Sequence, residues 1–202
     1  TQFLNSGGYA FLKQELVNLT KKYDSHVLCD LGCGEGYYTS GFQAEEKYGF
    51  DMSKEALKHA SKNDPSTQYA VASIFRLPLE DASCDTAVTC FAPFAKDEIE
   101  RVLTQGGRFF FVSPGPKHLF ELKQLIYDTP YENEMKDLET TLVKEEEYFI
   151  SNTFHCEKEN LISLFKMTPY YHRTRNEDID KINHQDGMDI TAEFLIRVYQ
   201  KR

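Results

Sequence analysis

Apolar residues recur along this chain with two different spacings. In Tyr9–Tyr23, the residues Leu12, Leu16 and Leu19 stand three or four positions apart, which predicts an amphipathic helix. The run His26–Leu31 is short and apolar and is followed by glycines, which is typical of a strand buried on both faces. The first two elements are therefore expected to be a helix and a buried strand.

The same two patterns alternate through most of the chain. Further helices are predicted at Lys54–Ser61, with Ser53 as the N-cap, and at Lys96–Thr104, His118–Tyr127 and Asn160–Met167. Further strands are predicted at Ala87–Phe91, Arg108–Ser113, Tyr148–Cys156 and Glu193–Tyr199. Gly106 and Gly107 are expected to end the helix before them with a left-handed cap, and Pro114-Gly115-Pro116 is expected to form a turn.

Alternating strands and helices predict βαβ units, and hence an α/β fold whose mostly parallel sheet carries helices on both faces. The charged stretch Asp128–Tyr148 is expected to cover a site.

The most specific signal is the segment Asp30-Leu31-Gly32-Cys33-Gly34-Glu35-Gly36-Tyr37-Tyr38. A strand enters it, three alternating glycines follow, and a helix is expected to leave. Glycines permit a tight turn and let a ligand approach the backbone. A dinucleotide site needs its third glycine one position later, where Tyr37 stands, and Asp30 would repel a pyrophosphate. The loop therefore favours S-adenosylmethionine, which carries an ammonium and a sulfonium, over NAD.

A second acidic residue follows at the end of the next apolar run. Asp51 lies about 20 residues after Asp30, the spacing at which a carboxylate meets ribose hydroxyls. Ala72-Ser73, followed by Leu77-Pro78, is expected to line the adenine. Taken alone, each of these residues could equally be a turn glycine or a surface acid. The predicted cofactor-binding residues of this region are Asp30, Gly32, Gly34, Glu35, Gly36, Asp51, Met52, Ala72 and Ser73.

Longer stretches of the sequence resemble one known family. LCDLGCGEGYYT, VASIFRLPLEDAS, FAPF, VSPGPKHLFELKQLIY and KMTPYYHRT together resemble the bacterial methyltransferases that modify N1 of a guanine in large-subunit ribosomal RNA. The resemblance runs from FLNSGGY near the start to the last strand, and PGPKHL and KMTPY are more discriminating than the glycine loop. It implies a class I (Rossmann-like) S-adenosylmethionine-dependent methyltransferase with a mostly parallel seven-stranded sheet. The last two predicted strands fit the antiparallel hairpin at the edge of a methyltransferase sheet.

The resemblance also implies roles for individual residues. Tyr9 matches an aromatic residue that closes over the cofactor, Gly34 and Glu35 match loop contacts, and His118 matches a cofactor-contacting histidine. Without the resemblance, Tyr9 would be taken as a helix staple and His118 as a residue at a helix N-terminus. Family members usually begin with a cysteine-rich zinc domain, whose ligands this chain lacks. We therefore expect no metal site, and the absence of that domain puts RNA binding by this chain in doubt.

The expected organisation is a single domain over residues 1–202. It would consist of a helical segment at 1–24, a cofactor-binding core at 25–116, and a substrate-side cover with the last strands at 117–202. An exposed helix at the amino end is a candidate surface for a homodimer.

The loop Phe91-Ala92-Pro93-Phe94 leaves a strand at the carboxyl edge of the sheet, where substrates meet the cofactor in open α/β folds. Phe91, Pro93 and Phe94 are expected to frame the slot for the base, and simple packing of the aromatic residues is the alternative. No residue is identified as the general base. Candidates for phosphate contacts are Lys117, Lys123, Arg173 and Arg175.

Composition narrows the substrate and the setting. With 32 acidic and 23 basic residues the net charge is −9, which argues against broad nonspecific nucleic-acid binding but leaves room for a local basic face. The five cysteines form no C-x-x-C pair, and no leader or apolar stretch of bilayer length is present, so a reduced cytoplasmic setting is expected. A methyltransferase of small metabolites, a non-catalytic cofactor-binding subunit and an NAD-dependent reductase remain as alternatives.

Overall fold

The computed structural model describes residues 2–202; Thr1, the first residue of the predicted domain, lies outside them. The chain forms two compact units. The smaller unit comprises residues 2–11, Pro114–Met135 and Phe149–Phe194, and the larger unit comprises Leu12–Ser113, Lys136–Tyr148 and Leu195–Arg202.

The structure has one sheet of seven strands; the first five belong to the larger unit, apart from the last residue of the fifth, and the last two are divided between the two units. The strands are β1 Val27–Leu31, β2 Glu46–Asp51, β3 Gln68–Val71, β4 Cys84–Cys90, β5 Leu103–Pro114, β6 Val143–Glu157 and β7 Gly187–Gln200. Their order across the sheet is β3-β2-β1-β4-β5-β7-β6, and β1 to β5 pair in parallel. This confirms the mostly parallel seven-stranded sheet predicted from the sequence.

Seven α-helices accompany these strands in the described residues. They are α1 Gln2–Asn5, α2 Ala10–Lys22, α3 Lys54–Asn63, α4 Lys96–Val102, α5 Phe120–Ile126, α6 Lys158–Lys166 and α7 Asn176–Asn183. The predicted N-cap of α3 is confirmed, because the Ser53 hydroxyl accepts a hydrogen bond from the backbone N–H of Ala56. Each helix between residues 2 and 202 is too short or too polar to traverse a bilayer.

One apolar cluster of the larger unit lies on one face of the parallel strands. Cys29 of β1, Ala87 of β4 and Phe109 of β5 are fully buried and belong to this cluster, into which Ile99 and Val102 of α4 pack. On the opposite face, Leu28 of β1, Val88 of β4 and Phe110 of β5 are fully buried too, so these strands are buried on both faces, as their continuous apolar runs predicted.

The last two strands run antiparallel, as predicted, with β6 at the edge of the sheet. In the smaller unit, the hydroxyl oxygens of Thr153 and Thr191 lie 3.1 Å apart, and Nδ1 of His155 lies 2.9 Å from the carboxylate of Asp189. From the first pair to the second, the residue number rises by two on β6 and falls by two on β7, so the two strands are antiparallel. They are not a tight hairpin, because α6 and α7 stand between them in the chain.

The predicted end of α4 is wrong. The helix stops at Val102, and Leu103 is already extended, because its side chain is fully buried and begins β5 beside Cys84. Gly106 does adopt a left-handed conformation, with φ +82°, but it does so inside β5, where the pairing with β4 shifts between Cys84 and Thr86. The two glycines therefore form an irregularity in a strand and no helix cap.

The α-helix expected after the glycine loop is also wrong. A single 3-10 turn, Thr39–Gly41, takes its place. Gly36, before this turn, is left-handed, with φ +72°, and does not have helical backbone angles. At Gly41, the last residue of the turn, a Cβ would lie 2.7 Å from the Lys13 side chain, so the end of the turn is closely packed. The Thr39 hydroxyl is also committed to Asp30.

Two further boundaries differ from the predictions. The helix expected at His118 begins at Phe120, because Leu119 before it is left-handed, with φ +54°. The strand expected from Tyr148 begins at Val143, so the last part of the stretch predicted as a cover, Val143–Tyr148, belongs to β6. The sequence patterns also missed α7, in which Asp178 and Ile182 are buried, and the short strand β3, whose residues are exposed or half-buried.

Candidate functional site

Three left-handed glycines shape the loop that follows β1. Gly32 has φ +80°, and a Cβ at this position would lie 2.8 Å from the Cβ of Ala92, so the loop after β4 leaves no room for a side chain. Gly34 has φ +53°, and a Cβ there would meet nothing within 4 Å. Packing within the chain therefore explains the glycine at position 32, whereas the space at Gly34 is open to a ligand.

Asp51, at the end of β2, fixes this loop. One carboxylate oxygen accepts a hydrogen bond from the backbone N–H of Gly34 at 2.9 Å, and the other accepts from the N–H of Ser53 at 2.8 Å. A carboxylate offers about four acceptor positions. Both oxygens therefore retain the capacity to accept further hydrogen bonds, as the hydroxyls of a ribose would require.

A pocket of about 360 Å³ opens beside Asp51, at the carboxyl ends of β1, β2 and β4. This is the edge at which open α/β sheets bind ligands. Its lining residues are Gly32, Asp51, Met52, Ser73, Ile74, Phe75, Cys90, Phe91, Ala92 and Pro93.

Exposed apolar side chains are concentrated around this pocket. Met52 is 70% exposed, Phe75 61% and Phe91 42%, although each has a large side chain. Exposed apolar groups that surround a concave site mark a place where a ligand is bound. A flat apolar group, such as an adenine, would cover them.

Asp30 lies beneath the loop and does not line the pocket. It is 2% exposed and accepts a hydrogen bond from the Thr39 hydroxyl at 2.5 Å. The ammonium of Lys47 donates to the backbone oxygen of Thr39 at 3.3 Å and forms an ion pair with Asp64 at 3.0 Å. Burial raises the pKa of Asp30 to about 7; the hydrogen bond from Thr39 opposes this shift, and the charge of Asp51 adds to it.

Tyr9 and His118 come together in the smaller unit. The Tyr9 hydroxyl lies 3.2 Å from Nε2 of His118, and both rings pack against Phe194 with centroid distances of 4.9 and 4.7 Å. Burial lowers the pKa of His118 to about 3, against the effect of a backbone hydrogen bond with Glu193, and burial also raises the pKa of Tyr9. The pair is therefore uncharged at neutral pH. The roles that the resemblance implies for these two residues stay predictions.

The loop after β4 divides the predicted substrate residues. Phe91 and Pro93 line the pocket, and Phe91 is left-handed, with φ +65°, a conformation that costs energy in a non-glycine residue. Phe94 is not among the lining residues: its ring stacks on Phe109 at 5.7 Å and contacts Phe111. For Phe94 the structure supports the alternative, packing against β5.

Other predicted positions fall around the site in different ways. Ser73 lines the pocket, whereas Ala72 packs against the core and its backbone N–H donates to the Asp51 carbonyl at 3.1 Å. Glu35 is exposed on the loop, and Gly36 is buried. The sequence reasoning missed three lining residues, Ile74, Phe75 and Cys90. Ile74 and Phe75 follow the predicted Ser73 in the chain, and Cys90 lies within the predicted strand Ala87–Phe91. Only the structure shows that they line the pocket.

One of the predicted phosphate contacts is wrong. Lys123 is 1% exposed, and its ammonium donates to the Tyr131 carbonyl and the Asn133 side chain at 3.1 and 2.6 Å, so it is not accessible to a phosphate. Lys117, Arg173 and Arg175 are exposed. Among residues 2–202, no three histidine, cysteine or acidic side chains are grouped as metal ligands would be.

The segment that carries the glycine loop and the pocket is similar to a described family. Residues 29–111 match the methyltransferase domain family model. YxjB of Bacillus subtilis, a protein named provisionally as a 23S rRNA (guanine-N(1)-)-methyltransferase, is 28% identical over 210 residues, which cover 93% of this chain and 71% of that protein. The 23S rRNA (guanine(748)-N(1))-methyltransferase of Streptomyces fradiae is 34% identical over 128 residues, which cover 59% of this chain and 46% of that protein.

The fold is similar to that of a solved structure. The crystal structure of the YcgJ protein of Bacillus subtilis superimposes with a TM-score of 0.61 at 17% sequence identity, over 94% of this chain and 98% of that one. The resemblance derived from the sequence motifs is thus confirmed by curated relatives, and the predicted fold class by a solved structure.

Proposed function

We propose that this chain, which has the class I methyltransferase fold, uses S-adenosylmethionine to methylate N1 of a guanine in 23S ribosomal RNA. The observation that carries the proposal is the pocket beside Asp51, whose carboxylate is fixed by Gly34 and Ser53 and whose rim bears exposed apolar side chains. The names of the curated relatives supply the guanine and the RNA.

The residues present suit this cofactor. Asp51 would accept hydrogen bonds from the ribose hydroxyls, and Met52 and Phe75 would cover the adenine. The backbone at Gly34, where a Cβ would find only open space, would face the amino-acid part. Ionised Asp30 would supply a negative charge beneath the loop. When bound, S-adenosylmethionine provides an electrophilic methyl group.

On the substrate side, the task of this chain is to position one base. A methyl transfer is an in-line displacement, and much of its acceleration comes from holding the nucleophile against the methyl group. A base within a stem is hidden, so the target must be unpaired or flipped out. Phe91 and Pro93 lie at the pocket and are the residues that we assign to the base. Guanine N1 carries a proton, which an acceptor must remove.

The test is direct. The full-length protein is incubated with unmodified 23S rRNA and S-adenosylmethionine labelled in its methyl group, and the modified nucleoside is mapped. We expect N1-methylguanosine at a single site. Label that appears only on small molecules, or on no substrate at all, contradicts the RNA assignment and favours a metabolite methyltransferase or a binding subunit.

A variant of the cofactor site, compared with a matched control variant, tests the role of Asp51. Asp51→Asn replaces one of the two oxygens by an amide group that cannot accept from a backbone N–H. Because hydrogen bonds to charged groups contribute about 1.5–3 kcal/mol, affinity for S-adenosylmethionine should fall roughly 10- to 100-fold in calorimetry. Asp97→Asn, at an exposed position in the first turn of α4, should leave it unchanged. Equal affinities for all three proteins would remove Asp51 from the site.

A further inference from the structure

Six aromatic rings form a continuous array in the smaller unit. The centroids are 5.5 Å apart between Tyr131 and Tyr127, 6.3 Å between Tyr127 and Tyr170, and 6.0 Å between Tyr170 and Phe165. Tyr171 then contacts Phe165 at 5.3 Å and His172 at 5.0 Å. Phe165 is buried, whereas Tyr131 is 53% exposed and His172 is also exposed. We call these six residues the aromatic array; its two ends face solvent.

Cations accompany the array in an otherwise acidic protein. The ten residues Lys166–Arg175 contain three basic residues and no acidic one, whereas the whole chain has a net charge of −9. Lys166 and Arg173 are exposed. Arg173 directly follows His172, the last member of the array, in the chain, and its charge opposes the effect of burial, which raises the pKa of Tyr127.

The acidic residues near this segment act on Arg175. Asp178 pairs with Arg175 at 3.1 Å and with Lys181 at 2.8 Å, so one carboxylate serves two cations. The guanidinium side chain of Arg175 remains 72% exposed. The charges of Glu177 and Asp128 also act on Arg175, so the cations of this segment that remain for a ligand are Lys166 and Arg173.

Buried Lys123 fixes the end of the array at Tyr131. Its ammonium donates to the backbone oxygen of Tyr131 at 3.1 Å and lies 4.6 Å from the centroid of the Tyr131 ring. Asn133, the second acceptor of Lys123, in turn donates to the carbonyl oxygen of Gly115 at 2.7 Å. Tyr131 is thus an exposed ring on a fixed backbone, which costs less entropy on binding than a mobile one.

We propose that the aromatic array binds unpaired nucleotides of RNA, with bases stacked on Tyr131 and His172 and with Arg173 and Lys166 at the phosphates. Exposed rings flanked by cations are the combination with which proteins bind single-stranded nucleic acid. The choice of RNA rests on the proposed function. The array together with Lys166 and Arg173 would be the local face through which an acidic chain holds such a substrate.

The test measures binding of a fluorescently labelled RNA hairpin with a guanine in its loop, in the full chain and in matched variants. Tyr131→Ala should weaken binding about fivefold or more, since stacking of one base on an aromatic ring contributes 1–3 kcal/mol. Tyr131→Phe keeps the ring and should bind as the wild type does. Phe149→Ala is the control, because Phe149 is equally exposed, at 53%, in the same unit but outside the array.

Salt dependence tests the cations. Arg173→Ala should lower the slope of log K against log salt concentration by about 0.7, the value for one phosphate contact to a single strand. Lys62→Ala, in the last turn of α3, should leave that slope unchanged. Affinity for S-adenosylmethionine, measured in parallel, reports that each variant is folded.

The outcomes separate this proposal from the proposed function. If Tyr131→Ala and Arg173→Ala bind the hairpin as the wild type does, or if Phe149→Ala weakens binding as much as Tyr131→Ala, the array is not an RNA surface. That result would leave N1-methylguanosine formation standing. If the array variants lose RNA affinity but no methylguanosine forms on 23S rRNA, the surface stands and the reaction must be reassigned.

Discussion

At the scale of single residues, the environment of Asp30 is the most informative. Its carboxyl group is buried, its hydrogen bond comes from Thr39, and Thr39 is in turn held by the ammonium of Lys47. The groups of Cys33, Asp51 and Cys90 also face it, and burial raises the pKa of both thiols, so these cysteines stay neutral near pH 7. Asp30 therefore changes its charge in the range in which the protein would work.

Cofactor affinity should depend on pH through this residue. A positively charged ligand favours ionised Asp30, so affinity should rise as the pH rises through the pKa of about 7. Thr39→Val removes the hydrogen bond that lowers this pKa, and the rise should move to higher pH by about one unit or more. Calorimetry with S-adenosylmethionine between about pH 5.5 and 9 measures this shift.

The serine variant distinguishes the hydrogen bond from general damage to the loop. Thr39→Ser retains the hydroxyl and should keep the wild-type midpoint, even if its stability is lower. A Thr39→Val protein with an unchanged midpoint would show that Thr39 does not act on Asp30.

At the scale of elements, the sequence was most informative where one periodicity persists. Leu12, Leu16 and Leu19 predicted α2 to within a residue at each end, because all three side chains are buried on one face. The strand β3 was missed, because its residues are exposed or half-buried and give no apolar pattern. Elements that the core requires are visible in a single sequence, and those at its margin are not.

The site was predictable in part for the same kind of reason. The spacing of the glycines and Asp51 predicted residues that the structure brings together at one pocket, and their contact with a cofactor stays a prediction. The bond from Gly34 to Asp51 joins two different elements, and the exposure of Phe75 depends on what fails to cover it. Neither property is encoded in the local sequence.

The close approach of the β1 and β4 loops makes a prediction about stability. Gly32→Ala places a left-handed alanine, which costs about 1–2 kcal/mol, and adds a contact with Ala92 at 2.8 Å. Urea denaturation should show a larger loss than for Gly34→Ala, which is left-handed but meets no atom within 4 Å. Ala92→Gly in the Gly32→Ala background should recover the part of the loss that is due to the contact, judged by a double-mutant cycle. Equal losses for the two glycines, without recovery, would contradict this assignment.

At the scale of the whole molecule, charge and burial are unevenly distributed. The chain is acidic overall, with a net charge of −9, yet its segment Lys166–Arg175 is basic. Of the lysines among residues 2–202, Lys47 and Lys123 are the buried ones, at 9% and 1% exposure. The first belongs to the larger unit and the second to the smaller unit.

The rate at which these two lysines react with a labelling reagent should report on the opening of the structure around them. An acylating reagent reacts with an accessible amine, so both should acquire label in mass spectrometry far more slowly than exposed residues such as Lys58, and only when the surrounding structure opens. A saturating nucleoside cofactor bound beside Asp51 should slow the labelling of Lys47 still further, because binding to the folded state stabilises it. Rapid labelling of Lys47 in the native protein would contradict its burial. A difference between the two rates would show directly whether the two units open together or one before the other.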